Sequence, residues 1–324
     1  MIIIRTPICC SFCGGGSDLP AFYRKHGGTV LAAGLNRYIY ISIHPHFHKN
    51  KTLCKYSKIE LVNEASEIKH PILRTLLQRF SLNGVDITST ADIPESSGLG
   101  FSSSFTVGLL HAIHKYKGDT VTSGMLASEA CHIELGILRE PMGKQDQYAA
   151  AFGGLHIYHF QKNGDVRAEP VKIPGDKEAD LEGSLLLFYT GDSRPASKAL
   201  KKHARDIHTN TDKEKIQILI RNMAIELHKE LLNGNIDAMG HVLHASWEQK
   251  RKLIEGVSNP NIDSVYEKAL SAGAAGGILL GAGSGGFLLL YAPKSKHTDI
   301  KNALCKLRYI PFGFSANGSE VLLG

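Results

Sequence analysis

Apolar and polar positions alternate in short runs through the first third of the chain and recur at helical spacing through much of the rest. Strand-type runs at 2–8, 29–33, 38–43, 53–56 and 85–92 predict β-structure. Helical periodicity appears at 72–80, at 105–116 and at 123–138. Strand patterns return at 155–160 and 185–189. Beyond Thr190 the pattern predicts helices over 213–232, 236–255 and 261–272, then strands at 286–291 and 308–312. Strands and helices gathered in runs, without regular β-α alternation, predict an α+β fold rather than a doubly wound sheet. Character shifts from mixed to helical near Ser184. The expected domains are therefore residues 1–184 and 185–324, with no linker, repeat or low-complexity segment to interrupt them.

Composition narrows the class. A chain of 324 residues, 43% hydrophobic and 21% charged, has the make-up of a globular protein with ample core. No apolar run approaches the ~20 residues that span a bilayer, so no membrane partner is expected. Met1-Ile2-Ile3-Ile4-Arg5 has no basic leader and reads as a first strand, not a secretory signal. Cys9, Cys10 and Cys13 cluster, but no second C-x-x-C or paired histidines complete a zinc set. Reduced thiols and a cytoplasmic location are expected. The net charge of +6 is densest over 198–215, where Lys201, Lys202, His203 and Arg205 fall together. That stretch reads either as a solvated helix face or as an electropositive rim for phosphates. Nothing resembles an RRM, a zinc finger or a basic-aromatic pattern, so no nucleic-acid partner is expected.

The candidate chemistry lies in glycine-rich segments. Residues 94–104, P-E-S-S-G-L-G-F-S-S-S, join the strand at 85–92 to a helix expected from Phe105. Gly98 and Gly100 can adopt backbone angles closed to other residues. Such a loop turns several N–H groups toward one point, where the next helix aims its positive end. No Lys follows Gly100, so this is not a P-loop. A plain Gly/Ser turn is the alternative. Residues 12–18, F-C-G-G-G-S-D, and 281–286, G-A-G-S-G-G, each abut a strong apolar run as well. Three such loops suggest one composite site around a phosphate-bearing ligand.

Four phrases carry a family resemblance: G-G-G-S-D-L-P (14–20), G-L-G-F-S-S-S-F-T-V-G-L-L (98–110), G-K-Q-D-Q-Y-A-A-A-F-G-G-L (143–155) and Y-T-G-D-S-R-P-A-S (189–197). In this order they resemble the motifs of the GHMP kinases, over nearly the whole chain. Within that family the chain looks most like the bacterial sugar kinases that include D-glycero-D-manno-heptose 7-phosphate kinase. The resemblance implies a two-domain α+β fold, with a ribosomal S5 domain 2-like N-terminal domain and a ferredoxin-like C-terminal domain. It implies ATP and Mg²⁺, a small-molecule sugar or sugar-phosphate acceptor, and allows a homodimer.

By the same resemblance, Pro94, Ser96, Ser97, Gly98, Leu99, Gly100, Ser102, Ser103 and Ser104 bind ATP. Ser102 and Glu134 hold the metal, and Asp146 is the catalytic aspartate, with Lys144 near enough to keep it ionised. Gly15, Gly16, Ser17 and Asp18 serve the acceptor, as do Arg194, Ser197, Gly283 and Gly285. Arg suits a phosphate because its fork is bidentate. Each residue has a plainer reading. Glu134 reads as an exposed helix glutamate, Asp18 as the N-cap of a helix over 19–25, and Arg194 with Ser197 as a surface turn. The 143–147 segment reads as a polar helix start.

The chain departs from the family at several places. Cys9 stands where R-x-P-x-R-x-x-F would put its second Arg, and Cys13 replaces a Gly, adding bulk before the first glycine run. Phe101 replaces a small residue, and Ile278 and Gly313 stand where Lys is expected. Loss of fixed positive charge near a transferring phosphate costs rate.

Overall fold

The computed structural model describes residues 1–324 except 95–97, 192–201, 203–204, 207–208, 282 and 284. The first part of the chain runs β1 (Ile2–Cys13), α1 (Pro20–His26), β2 (Gly28–Pro45), β3 (Thr52–Lys55), β4 (Ile59–Val62), α2 (Pro71–Arg79) and β5 (Val85–Ala91). Then come α3 (Phe101–Lys117), α4 (Ser123–Cys131), a π-helical stretch His132–Ile137, α5 (Gln145–Phe152), β6 (Leu155–Phe160), β7 (Val166–Pro170) and α6 (Lys177–Gly183). The remainder is β8 (Leu185–Tyr189), α7 (Thr211–Leu232), α8 (Ala238–Leu253), α9 (Pro260–Ser271), β9 (Gly276–Leu279), β10 (Phe287–Tyr291), α10 (His297–Ala303), β11 (Arg308–Ile310) and β12 (Glu320–Leu323).

Two sheets organise these elements. In the first the order is β12-β1-β2-β5-β3-β4, with β6 and β7 attached to β2. The long strand β2 pairs with β1 along one edge and serves two partners along the other: residues 28–33 pair with β6 and 39–45 with β5. The pairings are antiparallel except β3 with β5. Helix α3 buries Ser103–Leu110, Ala112 and Ile113, polar and apolar side chains alike, and packs on β1 and β2. Burial on nearly all sides through its middle turns marks it as central. The second sheet has the order β11-β8-β10-β9. Numbered from β8, that is 4-1-3-2, the ferredoxin-like strand order, with helices α7, α8 and α9 between the first two strands and α10 between the last two. Its central strands, Leu185–Tyr189 and Phe287–Tyr291, are almost entirely buried. The fold is α+β, with two sheets and helices segregated against them.

Local chemistry sets the helix starts. Asn259 accepts from Ile262 N at 3.0 Å to cap α9, and Pro260 follows at its first position. Asn210 accepts from Asp212 N and Lys213 N to cap α7. Where the expectations miss, the reason is local as well. Helix α3 begins at Phe101, not 105, because Gly100 ends the loop in the left-handed region at φ 63°. The single helix expected over 123–138 changes hydrogen-bonding pitch at His132. Of strand β9 (Gly276–Leu279) only the apolar run before the last glycine segment is legible, since Gly276 and Gly277 hide its start. Strand β12 pairs with β1, so the last residues return to the first sheet across the expected division at Ser184.

Candidate active site

The glycine segments meet around one cavity of about 900 Å³. A Cβ on Gly98 would lie 3.1 Å from Leu280 O and 3.2 Å from Gly281 Cα, so these two loops touch backbone to backbone. A Cβ on Gly100 would lie 2.4 Å from Cys9 Sγ and 3.2 Å from Asp146 Cγ. The loop is therefore pressed directly against Asp146. It leads into α3, which has no capping side chain and no acidic residue in its first turn. Those first N–H groups and the helix dipole favour an anion.

Asp146 lines the cavity from the first turn of α5. Its carboxyl is pushed up to about 7, first by desolvation, then by the nearby Asp18 charge and more weakly by Glu134, against a hydrogen bond from Cys9. Cys9 Sγ lies 3.6 Å from Asp146 Oδ1. Burial keeps that thiol well above its ordinary range, and it is neutral. A carboxyl poised near neutrality beside an anion-binding loop is suited to take a proton from a hydroxyl.

Lys144 does not hold Asp146 ionised, which corrects the expectation. Its ammonium donates to Gly164 O at 2.6 Å and lies 5.2 Å over the Tyr23 ring. Residues two apart at a helix start face different ways, so nearness in sequence does not make a pair.

Asp18 is almost fully buried, and Gly16 N and Gln145 N each donate to its carboxylate at 3.0 Å. Desolvation raises its pKa while the backbone donors oppose the rise. It does not cap α1, whose N-cap is Leu19. Gly143 leaves it room: a Cβ there would come 1.8 Å from Asp18 Oδ2. Asp18 thus ties the first glycine segment to the one that carries Asp146, and it borders the cavity together with Gly15 and Gly16.

Glu134 is fully buried on the π-helical stretch, not exposed. Ser102 and Thr106 donate to its Oε1 at 2.9 and 3.1 Å. Ser103 and Gln147 donate to its Oε2 at 3.0 and 2.6 Å. Burial raises its pKa against these donors. Ser102 reaches the cavity wall, with Glu134 behind it. A hydroxyl and a carboxylate are hard oxygen donors of the kind Mg²⁺ takes while keeping several waters. Among the described residues no three His, Cys, Asp or Glu side chains are grouped to hold a metal unaided. Ser102 and Glu134, 2.9 Å apart, are chemically suited to such an ion alongside phosphate oxygens and water.

Of the other expected residues, Pro94, Gly98, Ser103, Gly283 and Gly285 line the cavity. Three are turned away from it. Ser104 is buried and donates to Pro7 O at 2.9 Å. Leu99 is buried, and its carbonyl accepts from Cys9 N at 3.1 Å. Ser17 is buried and bridges to Thr29, donating to its carbonyl at 2.9 Å. In a helix successive hydroxyls point about 100° apart, so three serines in a row cannot all face one ligand. Ser96, Ser97, Arg194 and Ser197 lie outside the described residues. Cys13 ends β1 and donates to Ile220 O at 3.5 Å, so it adds no bulk to the turn, which starts at Gly14. Phe101 opens α3, and both it and Ile278 line the cavity.

Two contributors went unread in the sequence. Gln147, inside the quoted G-K-Q-D-Q segment, is fully buried and orients Glu134. Lys250, on α8, lines the cavity. Ser246, one turn earlier, lines the cavity too, and nothing in the sequence marks either residue.

Comparison with known proteins gives two family matches: "GHMP kinases N terminal domain" over residues 60–154 and "GHMP kinases C terminal" over residues 227–309. The chain is 29% identical to a D-glycero-alpha-D-manno-heptose 7-phosphate kinase from Campylobacter jejuni, over 97% of this chain and 96% of that one. It is 27% identical to a galactokinase from Pyrococcus furiosus, over 84% of this chain and 82% of the relative. Its fold matches the crystal structure of a D-glycero-D-manno-heptose 1-phosphate kinase from Bacteriodes thetaiotaomicron, with a TM-score of 0.81 and 24% identity. That match covers 100% of this chain and 99% of the other.

Proposed function

The chain belongs to the GHMP kinase family, and from that premise we propose that it moves the γ-phosphoryl group of ATP to a hydroxyl of a sugar or sugar phosphate. The acceptor we favour is the anomeric hydroxyl of D-glycero-D-manno-heptose 7-phosphate, which would give the 1,7-bisphosphate. The similarity to a heptose 7-phosphate kinase along almost the full length supports that choice over galactose, fucose, mevalonate or homoserine. The division of labour between residues 1–184 and 185–324 is part of the same reading.

One observation carries the reading: Gly100 brings the anion-binding loop into contact with Asp146, whose carboxyl sits near 7. In-line phosphoryl transfer asks for positioning and charge compensation more than for covalent chemistry. Gly98, Gly100 and the start of α3 cradle the phosphates. Asp146 accepts the proton of the attacking hydroxyl. Asp18, held by two backbone N–H groups, orients the acceptor's hydroxyls. Ser102 and Glu134 would hold Mg²⁺, which when bound neutralises phosphate charge. Arg194 and Ser197 remain the proposed contacts to an anionic group on the acceptor.

The test is ADP release with Mg²⁺-ATP against mannoheptose 7-phosphate, mannose, galactose, fucose, mevalonate and homoserine. Turnover on a sugar supports the kinase reading and names the acceptor. Turnover only on mevalonate or homoserine overturns the sugar reading. A second reading, a binding protein with catalysis lost or slowed, is favoured by the neutral Cys9 beside Asp146. Cys9→Arg separates the two: a large gain in turnover from an inactive wild type marks a degraded enzyme. An already active wild type removes this reading.

A further inference from the structure

The cleft is rich in carboxylates and poor in cations. Asp18 and Asp146 line it and Glu134 stands behind Ser102. Cys9, the residue against Asp146, is neutral. Nucleotide phosphates would bring several more negative charges. Among the described lining residues, Lys250 is the sole Lys or Arg.

Its surroundings are unusual for a lysine. Lys250 lies in the last turn of α8, with Ser246 one turn earlier facing the same cavity. Its ammonium donates to Leu279 O at 2.9 Å and to Gly281 O at 2.8 Å. No carboxylate partner is found among the described residues. The neighbouring Arg251 takes Glu248 and Asp263 instead. Desolvation without a counter-charge lowers the Lys250 pKa to about 8. An ammonium has three donors, and two are used here. The carbonyl of Gly281 belongs to the residue packed on Gly98, since a Cβ on Gly281 would come 2.6 Å from Gly98 Cα. The charge therefore sits at the seam between the anion-binding loop and the last glycine segment.

We infer that Lys250 is the phosphate-binding cation of the cleft, its two carbonyl bonds fixing the ammonium at the seam and its remaining N–H taking a phosphate oxygen. This deepens the kinase reading and rests on it. The carbonyl bonds give Lys250 a holding role when the site is empty. The bound phosphate supplies the counter-charge that the protein does not. Two sources carry that chemistry: the polyphosphate of the nucleotide and a phosphate already on the acceptor.

The experiment is calorimetry on wild type, Lys250→Gln and Lys250→Arg. The probes are tripolyphosphate, a non-hydrolysable ATP analogue, AMP, and inorganic phosphate added to protein saturated with the analogue. Gln keeps a donor for one carbonyl and removes the charge. If folding nevertheless fails by circular dichroism, Lys250→Met in the wild-type background at lower temperature replaces it, and the Arg variant, which keeps the charge, stands as the rescue. Loss of a charged hydrogen bond predicts that Lys250→Gln weakens phosphate binding by about tenfold or more, while Lys250→Arg recovers most of it. Weakened tripolyphosphate and analogue binding with AMP unchanged assigns Lys250 to the nucleotide. Weakened inorganic phosphate alone assigns it to the acceptor. Unchanged affinity for tripolyphosphate, the analogue and inorganic phosphate overturns the inference whatever the Tm, a lower Tm leaving Lys250 a holding role only, and leaves the kinase reading intact. Lys250-dependent tripolyphosphate binding without any binding of the analogue overturns the kinase reading and keeps the inference. A wild type that binds none of the probes overturns both.

Discussion

The two walls of the cleft treat charge in opposite ways. On the side built from β1, α3 and α5, Asp18, Asp146 and Glu134 crowd together, and desolvation raises the pKa of each. On the side built from α8 and β9, a single ammonium is lowered to about 8 by the same desolvation. Neither wall neutralises the other, since Lys250 binds only carbonyls and Asp146 only a thiol among its described side-chain partners. Carboxylates gathered without a cation are costly. They are tolerable where a ligand brings compensating charge. The walls are thus complementary to a phosphate on one side and to a metal and a hydroxyl proton on the other.

The sharpest way to break this comparison is to neutralise Asp146. Asp146→Asn should lower turnover by about 10²–10⁴ while leaving affinity for a non-hydrolysable ATP analogue unchanged. Turnover within a few-fold of wild type would remove Asp146 from the chemistry. Closing the seam comes next. Gly100→Val puts a Cβ at φ 63° and 2.4 Å from Cys9 Sγ. It should weaken nucleotide binding about tenfold or more and destabilise the fold by about 1–3 kcal/mol. Calorimetry and thermal melts read both.

The stored charge itself predicts a gain. A carboxyl whose folded pKa is raised costs no stability below its unfolded value, about 4. The cost grows as pH rises and is complete above the folded value, about 7. Asp146→Asn should therefore raise the Tm most above pH 7, with a gain of at most about 4 kcal/mol that disappears toward pH 4. A lower Tm at pH 8 would contradict the picture. The smallest effect belongs to Ser104, whose hydroxyl serves Pro7 and not the cavity. Ser104→Ala should cost about 1 kcal/mol of stability, with kcat and KM within twofold of wild type.

Two strands of the second sheet differ in how legible they were. Strand β8 was read end to end because Leu185–Tyr189 is an unbroken apolar run in a buried position. Strand β9 was not, because Gly276 and Gly277 carry no hydrophobic signal. Their lack of side chains is what lets α8 pack close: a Cβ on Gly276 would meet Gly240 O at 2.0 Å. At the site, glycine loops and Asp146 were visible as motifs, but the direction of a side chain was not. Ser104 and Ser17 carry the right chemistry and face inward, and Lys144 points to Gly164. Lys250 sits in the run Lys250-Arg251-Lys252, which reads as a solvated basic helix end. Only the packing of α8 on β9 singles out its first member.

The most direct test of the central claim, that the acid-rich wall lifts Asp146 into the working range of a base, is the ¹³C NMR titration of its carboxyl in wild type and in Asp18→Asn. The account predicts a midpoint near 7 in the free wild type and a lower one once the Asp18 charge is gone. A midpoint near 4 in the wild type, unmoved by Asp18→Asn, would contradict it.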